Sequence, residues 1–218
     1  MFDTILFDLD GTISDSGPGI TRSVAYSLKK FGIIIDDIST LNYFVGPPLK
    51  DSFRNNFGFD EEQSEKAVEY YREWYRDKGI HETTVYPGMA ELVRKLHDMG
   101  KTIALATSKP TVFAKMVIED YGLTDCFDLI LGCELDGSRV EKPEIIAECL
   151  EFFGITEEEK HRAVMIGDRC YDILGARACG IASIGLTFGY APEGEMEEVK
   201  PDYIAHSAED IYSILVSQ

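Results

Sequence analysis

Short apolar runs recur along the chain at 4–7, 102–106, 129–131, 163–166, 182–186 and 203–205. Runs of this length with few polar interruptions suit strands covered on both faces, and the helical stretches between them suit crossover connections. Proline and serine mark where several helices begin: Pro110 opens TVFAKMVIEDYG, Pro143 opens EIIAECLEFFG, and Ser207 stands as an N-cap before AEDIYSILV. Gly122 and Gly154 close the first two of these. The pattern predicts an α/β fold, a doubly wound parallel sheet. It breaks once. Between the first run and residue 102 the stretches TRSVAYSLKKFG, LKDSFRNNFG and EEQSEKAVEYYREWYRDKG carry apolar residues at helical spacing, and each ends at glycine. The chain therefore reads as a core, 1–15 and 87–218, with a helical insertion at 16–86. An insertion directly after the first strand is expected over the sheet's carboxyl edge, where α/β folds bind ligands, as a cap hinged near 15–19 and 86–88.

Composition narrows the partners. A formal net charge of -18 repels phosphate backbones and anionic surfaces, which disfavours nucleic acid and membrane. No stretch reaches the roughly 20 apolar residues of a membrane span, and MFDTILFDLD lacks the basic start of a secretory signal, so a cytoplasmic location is expected. Oligomeric state is not readable. Five cysteines without a CxxC pair read as reduced thiols, and Cys170 has no histidine beside it to activate it. The four histidines show no metal-binding spacing. Tyr70, Tyr71, Trp74 and Tyr75 form an aromatic stripe whose spacing favours packing of a helix pair over a base-stacking pocket. The segment EGEMEEVKPD reads as an acidic surface loop.

The residues at the ends of the apolar runs are chemically distinctive. Asp8 and Asp10 come after the first, Thr107, Ser108 and Lys109 after the second, and Asp168 and Asp172 after AVMIG, while Lys142 precedes the helix at Pro143. In a parallel sheet all strand C-termini lie on one edge, so these groups can share a crevice. Two carboxylates about 4 Å apart repel by about 4 kcal/mol at an effective dielectric near 20, and something must offset that. Asp8, Asp10 and Asp168, without imidazole or thiolate, suit a hard cation such as Mg²⁺. Thr107, Lys142 and backbone N–H groups after Asp8 then supply donors for a tetrahedral dianion. Gly11 lets the backbone approach that anion closely. Lys50, after a Gly-Pro-Pro turn, is a candidate for substrate contact from the insertion.

The segments DLDGT, ATSKP, EKP and GDRCYD resemble, in order, the four motifs of the haloacid dehalogenase-like hydrolase superfamily. YPGMAELVRKLHDMGKTIALATSKP is similar to the phosphoglycolate phosphatase-like branch with a helical cap, and FVGPPLKDSF, GDRCYDILGAR and FGYAPEGE to its bacterial 5'-nucleotidase-like members. The resemblance implies a Rossmann-like core and a phosphatase acting on small phosphate monoesters, of phosphoglycolate or nucleoside 5'-monophosphate type. Asp8 would be the nucleophile that becomes an aspartyl-phosphate, and Asp10 the acid and base. Mg²⁺ would be held by the Asp8 carboxylate, the Asp10 backbone carbonyl and Asp168. Thr107, Ser108 and Lys142 would bind phosphate oxygens, and Asp172 would hold Lys142 or a metal-bound water. Two alternatives stand beside this: a phosphosugar mutase that passes the phosphoryl group to a second hydroxyl, and a non-enzymatic phospho-acceptor module.

Overall fold

The computed structural model describes residues 2–135, 139 and 141–217. The elements run in chain order as β1 (Thr4–Phe7), β2 (Ser14–Asp15), α1 (Gly17–Lys30), α2 (Leu49–Phe57), α3 (Glu61–Asp77), β3 (Thr84–Val85), α4 (Met89–Asp98), β4 (Thr102–Pro110), α5 (Thr111–Asp120), β5 (Leu129–Cys133), α6 (Lys142–Phe152), β6 (Ala163–Gly167), α7 (Cys170–Cys179), β7 (Ala182–Leu186), α8 (Glu195–Val199), β8 (Tyr203–Ala205) and α9 (Ala208–Val216). They fall into two compact units, Met1–Ser14 with Val85–Gln218, and Asp15–Thr84. Among the described residues no helix is long and apolar enough to cross a membrane.

In the larger unit, six strands form a parallel sheet in the order β5-β4-β1-β6-β7-β8. This is the α/β doubly wound architecture that the apolar runs predict. Leu6, Ala104, Ala106 and Met165 face a core completed by Ile145, Ile146, Cys149 and Ala176 of α6 and α7. Their neighbours Ile5, Phe7, Ile103, Leu105, Val164 and Ile166 are equally buried, so both faces are covered. That explains why the strands read as continuous apolar runs. Truncating a side chain such as Leu6 to Ala there costs about 2–5 kcal/mol. Strand order reverses about β1, flanked by β4 on one side and β6 on the other, which makes its carboxyl end the switch point where ligands bind.

The smaller unit is a helical module. Helix α3 is started by a capping box: Asp60 Oδ1 accepts from the Gln63 N–H at 2.8 Å, and Gln63 Oε1 accepts from the Asp60 N–H at 3.1 Å. It buries Ser64, Ala67, Tyr71 and Tyr75, one stripe at helical spacing. The aromatic stripe is packing: Tyr71 stacks on Tyr75 at 5.2 Å, Trp74 lies 5.1 Å from Tyr26, and Tyr70 meets Phe31 edge-on at 5.8 Å.

Candidate active site

Strand β1 delivers Asp8 directly after its last residue, and the Asp8 N–H still donates to the Ile166 carbonyl of β6 at 2.9 Å. The chain then turns tightly: the Leu9 carbonyl accepts from the N–H groups of Thr12, Ile13 and Ser14, and the Gly11 N–H donates to Ser14 O at 2.8 Å. Gly11 adopts φ +82, and a side chain there would run into the Asp168 carboxylate. The turn thus places Asp8 and Asp10 at the sheet edge, and glycine leaves room for the acid arriving from β6.

Lys142 is the first residue of α6 and is 4% exposed, so its ammonium must be paired. Its Nζ lies 3.0 Å from Asp8 Oδ1 and 2.8 Å from Asp172 Oδ1, and it donates to the Ala106 carbonyl at 3.1 Å. Both carboxylate contacts are buried ion pairs, and among the described residues neither oxygen has a further hydrogen-bond partner. The lysine stem threads past α7 at Gly175, where a Cβ would come within 2.9 Å of Lys142 Cγ. Burial opposes the charge, but Asp172 and Asp8 outweigh it and hold the ammonium above the ordinary lysine range.

Asp168 follows β6 and is fully buried. Its Oδ2 accepts from the Tyr190 N–H at 2.6 Å and its Oδ1 from Thr12 Oγ1 at 3.3 Å. Asp172 Oδ2 accepts from the Arg169 N–H at 3.1 Å, closing the first turn of α7. The carboxylates of Asp8, Asp168 and Asp172 each offer an oxygen within 4.8 Å of the others. Burial, then the charge of Asp172, drives the Asp168 carboxyl well above its usual range. Burial also pushes Asp172 up, to about 6, with Lys142 pulling the other way. Three buried acids lie together, one ammonium is shared by two of them, and Asp168 stays pushed up despite Arg169, so an all-oxygen donor set of this kind fits a hard divalent cation.

The residues singled out from the sequence are not all gathered here. Thr107, 1% exposed, lies within β4 where its pairing with β5 slips, with Oγ1 accepting from the Lys109 N–H at 3.3 Å, and Ser108 is half-buried beside it. Asp10 stands apart from the other carboxylates: Lys109 Nζ grips its Oδ1 at 2.8 Å and its Oδ2 at 2.6 Å. Lys50 belongs to the smaller unit and is engaged by Glu61 and Glu65, the latter at 3.0 Å. Burial and then Glu195 push the Cys170 thiol up to about 11, which disfavours the thiolate a nucleophile needs.

Three contacts are not foreseen from the sequence. Lys109 pairs with Asp10 from a position 99 residues away, a contact no local pattern signals. Glu195 reaches Arg169 Nε at 3.0 Å and the Cys170 N–H at 2.8 Å. With the Tyr190 N–H on Asp168, it latches the segment after β7 to the loop that carries this acid. The only hint in the sequence is the FGYAPEGE stretch itself.

Comparison with known proteins agrees with this geometry. A model of the haloacid dehalogenase-like hydrolase family matches residues 5–186. The chain is 40% identical over 216 residues to a 5'-nucleotidase of Pseudomonas aeruginosa, covering 99% of this chain and 96% of the relative. It is 31% identical over 204 residues to the tyrosine-protein kinase PtkA of Mycobacterium tuberculosis, covering 94% of this chain and 68% of the relative. A crystal structure described as a predicted phosphatase from Clostridium acetobutylicum superimposes with a TM-score of 0.95 at 42% identity, covering 100% of both chains. The chain belongs to the haloacid dehalogenase-like hydrolase family and is an enzyme of that class.

Proposed function

We propose that this hydrolase is a Mg²⁺-dependent phosphatase of small phosphate monoesters, working through an aspartyl-phosphate on Asp8. The observation that carries the reading is the convergence of Asp8, Lys142, Asp168 and Asp172 at the carboxyl ends of β1 and β6 and the start of α6. Asp8 and Asp168, with the Asp10 backbone carbonyl, would hold the cation, which when bound neutralises phosphate oxygens. Lys142, ion-paired with Asp8, offers positive charge to the same dianion, together with Thr107 and Ser108. An Asp8 carboxylate oxygen attacks phosphorus, forming the acyl phosphate while the bond to the leaving oxygen breaks. Asp10 gives that oxygen a proton. It then takes one from a water that attacks the acyl phosphate, which releases inorganic phosphate and regenerates Asp8.

Nucleoside 5'-monophosphates are the first substrates to test, since a relative matched over nearly its whole length carries the 5'-nucleotidase name. Phosphoglycolate comes next, from the resemblance to that branch. We assign discrimination among these esters to the unit Asp15–Thr84, acting as a cap. Asp8→Asn is expected to lower kcat by at least about 10⁴-fold, and chelation to abolish turnover. A substrate chiral at phosphorus is expected to react with net retention, because two in-line displacements invert twice. Net inversion means that water attacks directly and overturns the aspartyl-phosphate. The relative named a tyrosine-protein kinase favours one second reading, transfer to an acceptor hydroxyl instead of water. Phosphoryl transfer to a tyrosine peptide or a hexose phosphate without phosphate release would support it.

A further inference from the structure

Asp8 and Asp10 are two residues apart, yet each meets its own lysine. Asp8 faces Lys142, within the group of acids that fits a cation. Asp10 faces Lys109, which binds both of its carboxylate oxygens; the two side chains are only 10% and 4% exposed. The aim of Lys109 is built into the sheet. Pairing of β4 with β5 steps from Thr107↔Gly132 to Pro110↔Cys133, so the ladder slips just where Thr107, Ser108 and Lys109 emerge. Such irregularities re-aim side chains beside active sites. Gly132 makes this one possible, since a Cβ there would run into the Lys109 carbonyl.

A carboxylate next to a divalent cation binds it readily, and a loose Asp10 side chain would be drawn toward the acids that hold the ion. A lysine that occupies both oxygens opposes this. Building on the phosphatase reading, we propose that Lys109 is the positioning residue for Asp10: it holds the carboxylate out of the cation site and in the orientation needed for proton transfer.

The test is a double-mutant cycle on the full-length enzyme with Lys109→Met, Asp10→Asn and the pair, assayed with an aryl phosphate and with a nucleoside 5'-monophosphate. Mg²⁺ affinity is measured in parallel by calorimetry. Lys109→Met is expected to lower kcat at least about tenfold with KM changed less than about twofold, and to leave Mg²⁺ binding as tight as in the wild type or tighter. In the Asp10→Asn background the same change is expected to have less than about a twofold effect, because Lys109 acts through Asp10. Lys109→Arg is expected to recover part of kcat. Additive effects, an unchanged kcat in Lys109→Met, or Mg²⁺ affinity falling in step with kcat would overturn the assignment. Should Lys109→Met fail to fold, Lys109→Gln carries the same cycle, with Lys109→Arg still the rescue. If Asp8→Asn keeps its activity the phosphatase mechanism fails; if Asp8→Asn is dead and the cycle is additive, only the role of Lys109 fails.

Discussion

The two ends of β1, β4 and β6 hold their acids in different ways. Just before these strands stand Asp3, Lys101 and Arg162, one acid between two cations. Lys101 Nζ donates to Asp3 Oδ1 at 2.8 Å and to the Phe2 carbonyl at 2.8 Å, and Arg162 Nε donates to Asp3 Oδ2 at 2.8 Å. The hydrogen bonds from Lys101 and then Arg162 hold Asp3 below the usual carboxylate range. Just beyond the same strands Lys142 is shared between Asp8 and Asp172, Asp168 lies among the same acids, and there Asp168 and Asp172 are pushed up. Compensated acids pin strands together. Undercompensated acids are kept for something that arrives, and here the donor chemistry names a divalent cation.

Neutralising one acid at each end separates these roles most strongly. Asp168→Asn is expected to lower phosphatase activity by about a hundredfold or more, because it removes a group that would hold the cation. The same change is expected to stabilise the metal-free protein by about 1–2 kcal/mol, or about 2–8 °C in Tm, since a buried acid without enough positive charge is relieved. Equal destabilisation with and without Mg²⁺ would refute the contrast between the two ends. Asp3→Asn at the other end is expected to leave kcat and KM alone and to cost at most about 1 kcal/mol, because that pair is half open to solvent.

A smaller effect separates the two ends by pH. The folded-state pKa of Asp172, about 6, lies above its ordinary 3.8. Its contribution to stability is therefore complete below that ordinary value and lost as pH rises through about 6. Asp3 has the opposite sign, with a contribution present above the ordinary carboxylate value and lost as pH falls through its lowered one. Calorimetric unfolding of metal-free protein is expected to show Asp172→Asn and wild type diverging as pH rises across that window, with saturating Mg²⁺ restoring the wild type at its upper end. A constant difference across the window would mean that the acids beyond the strands are not short of positive charge.

Much of this architecture was legible because the strands are buried on both faces, so β1, β6 and β7 announce themselves as unbroken apolar runs. The charged residues of the site were legible for a related reason: Asp8, Asp168 and Lys142 stand at strand ends or a helix start, positions that a parallel sheet gathers on one edge. The contacts that stayed hidden depend on crossings between distant segments. Strand β4 continues past Ala106 through polar TSKP to Pro110, where hydrophobicity no longer marks it. The Lys109–Asp10 pair depends on the slip in that stretch. The grip of Glu195 on Arg169 and of the Tyr190 N–H on Asp168 depends on a loop folding back across 26 and 22 residues. Lys50 shows the converse: a lysine after a Gly-Pro-Pro turn looks available, but Glu61 and Glu65 take it up one helix away.

Whether the deficit of positive charge around Asp8, Asp168 and Asp172 is there to receive an ion is decided by calorimetric titration of Mg²⁺ into the metal-free protein. One ion is expected to bind per chain, with binding lost in Asp168→Asn and kept in Asp3→Asn. No saturable binding to the wild type, or binding that survives Asp168→Asn unchanged, would refute it.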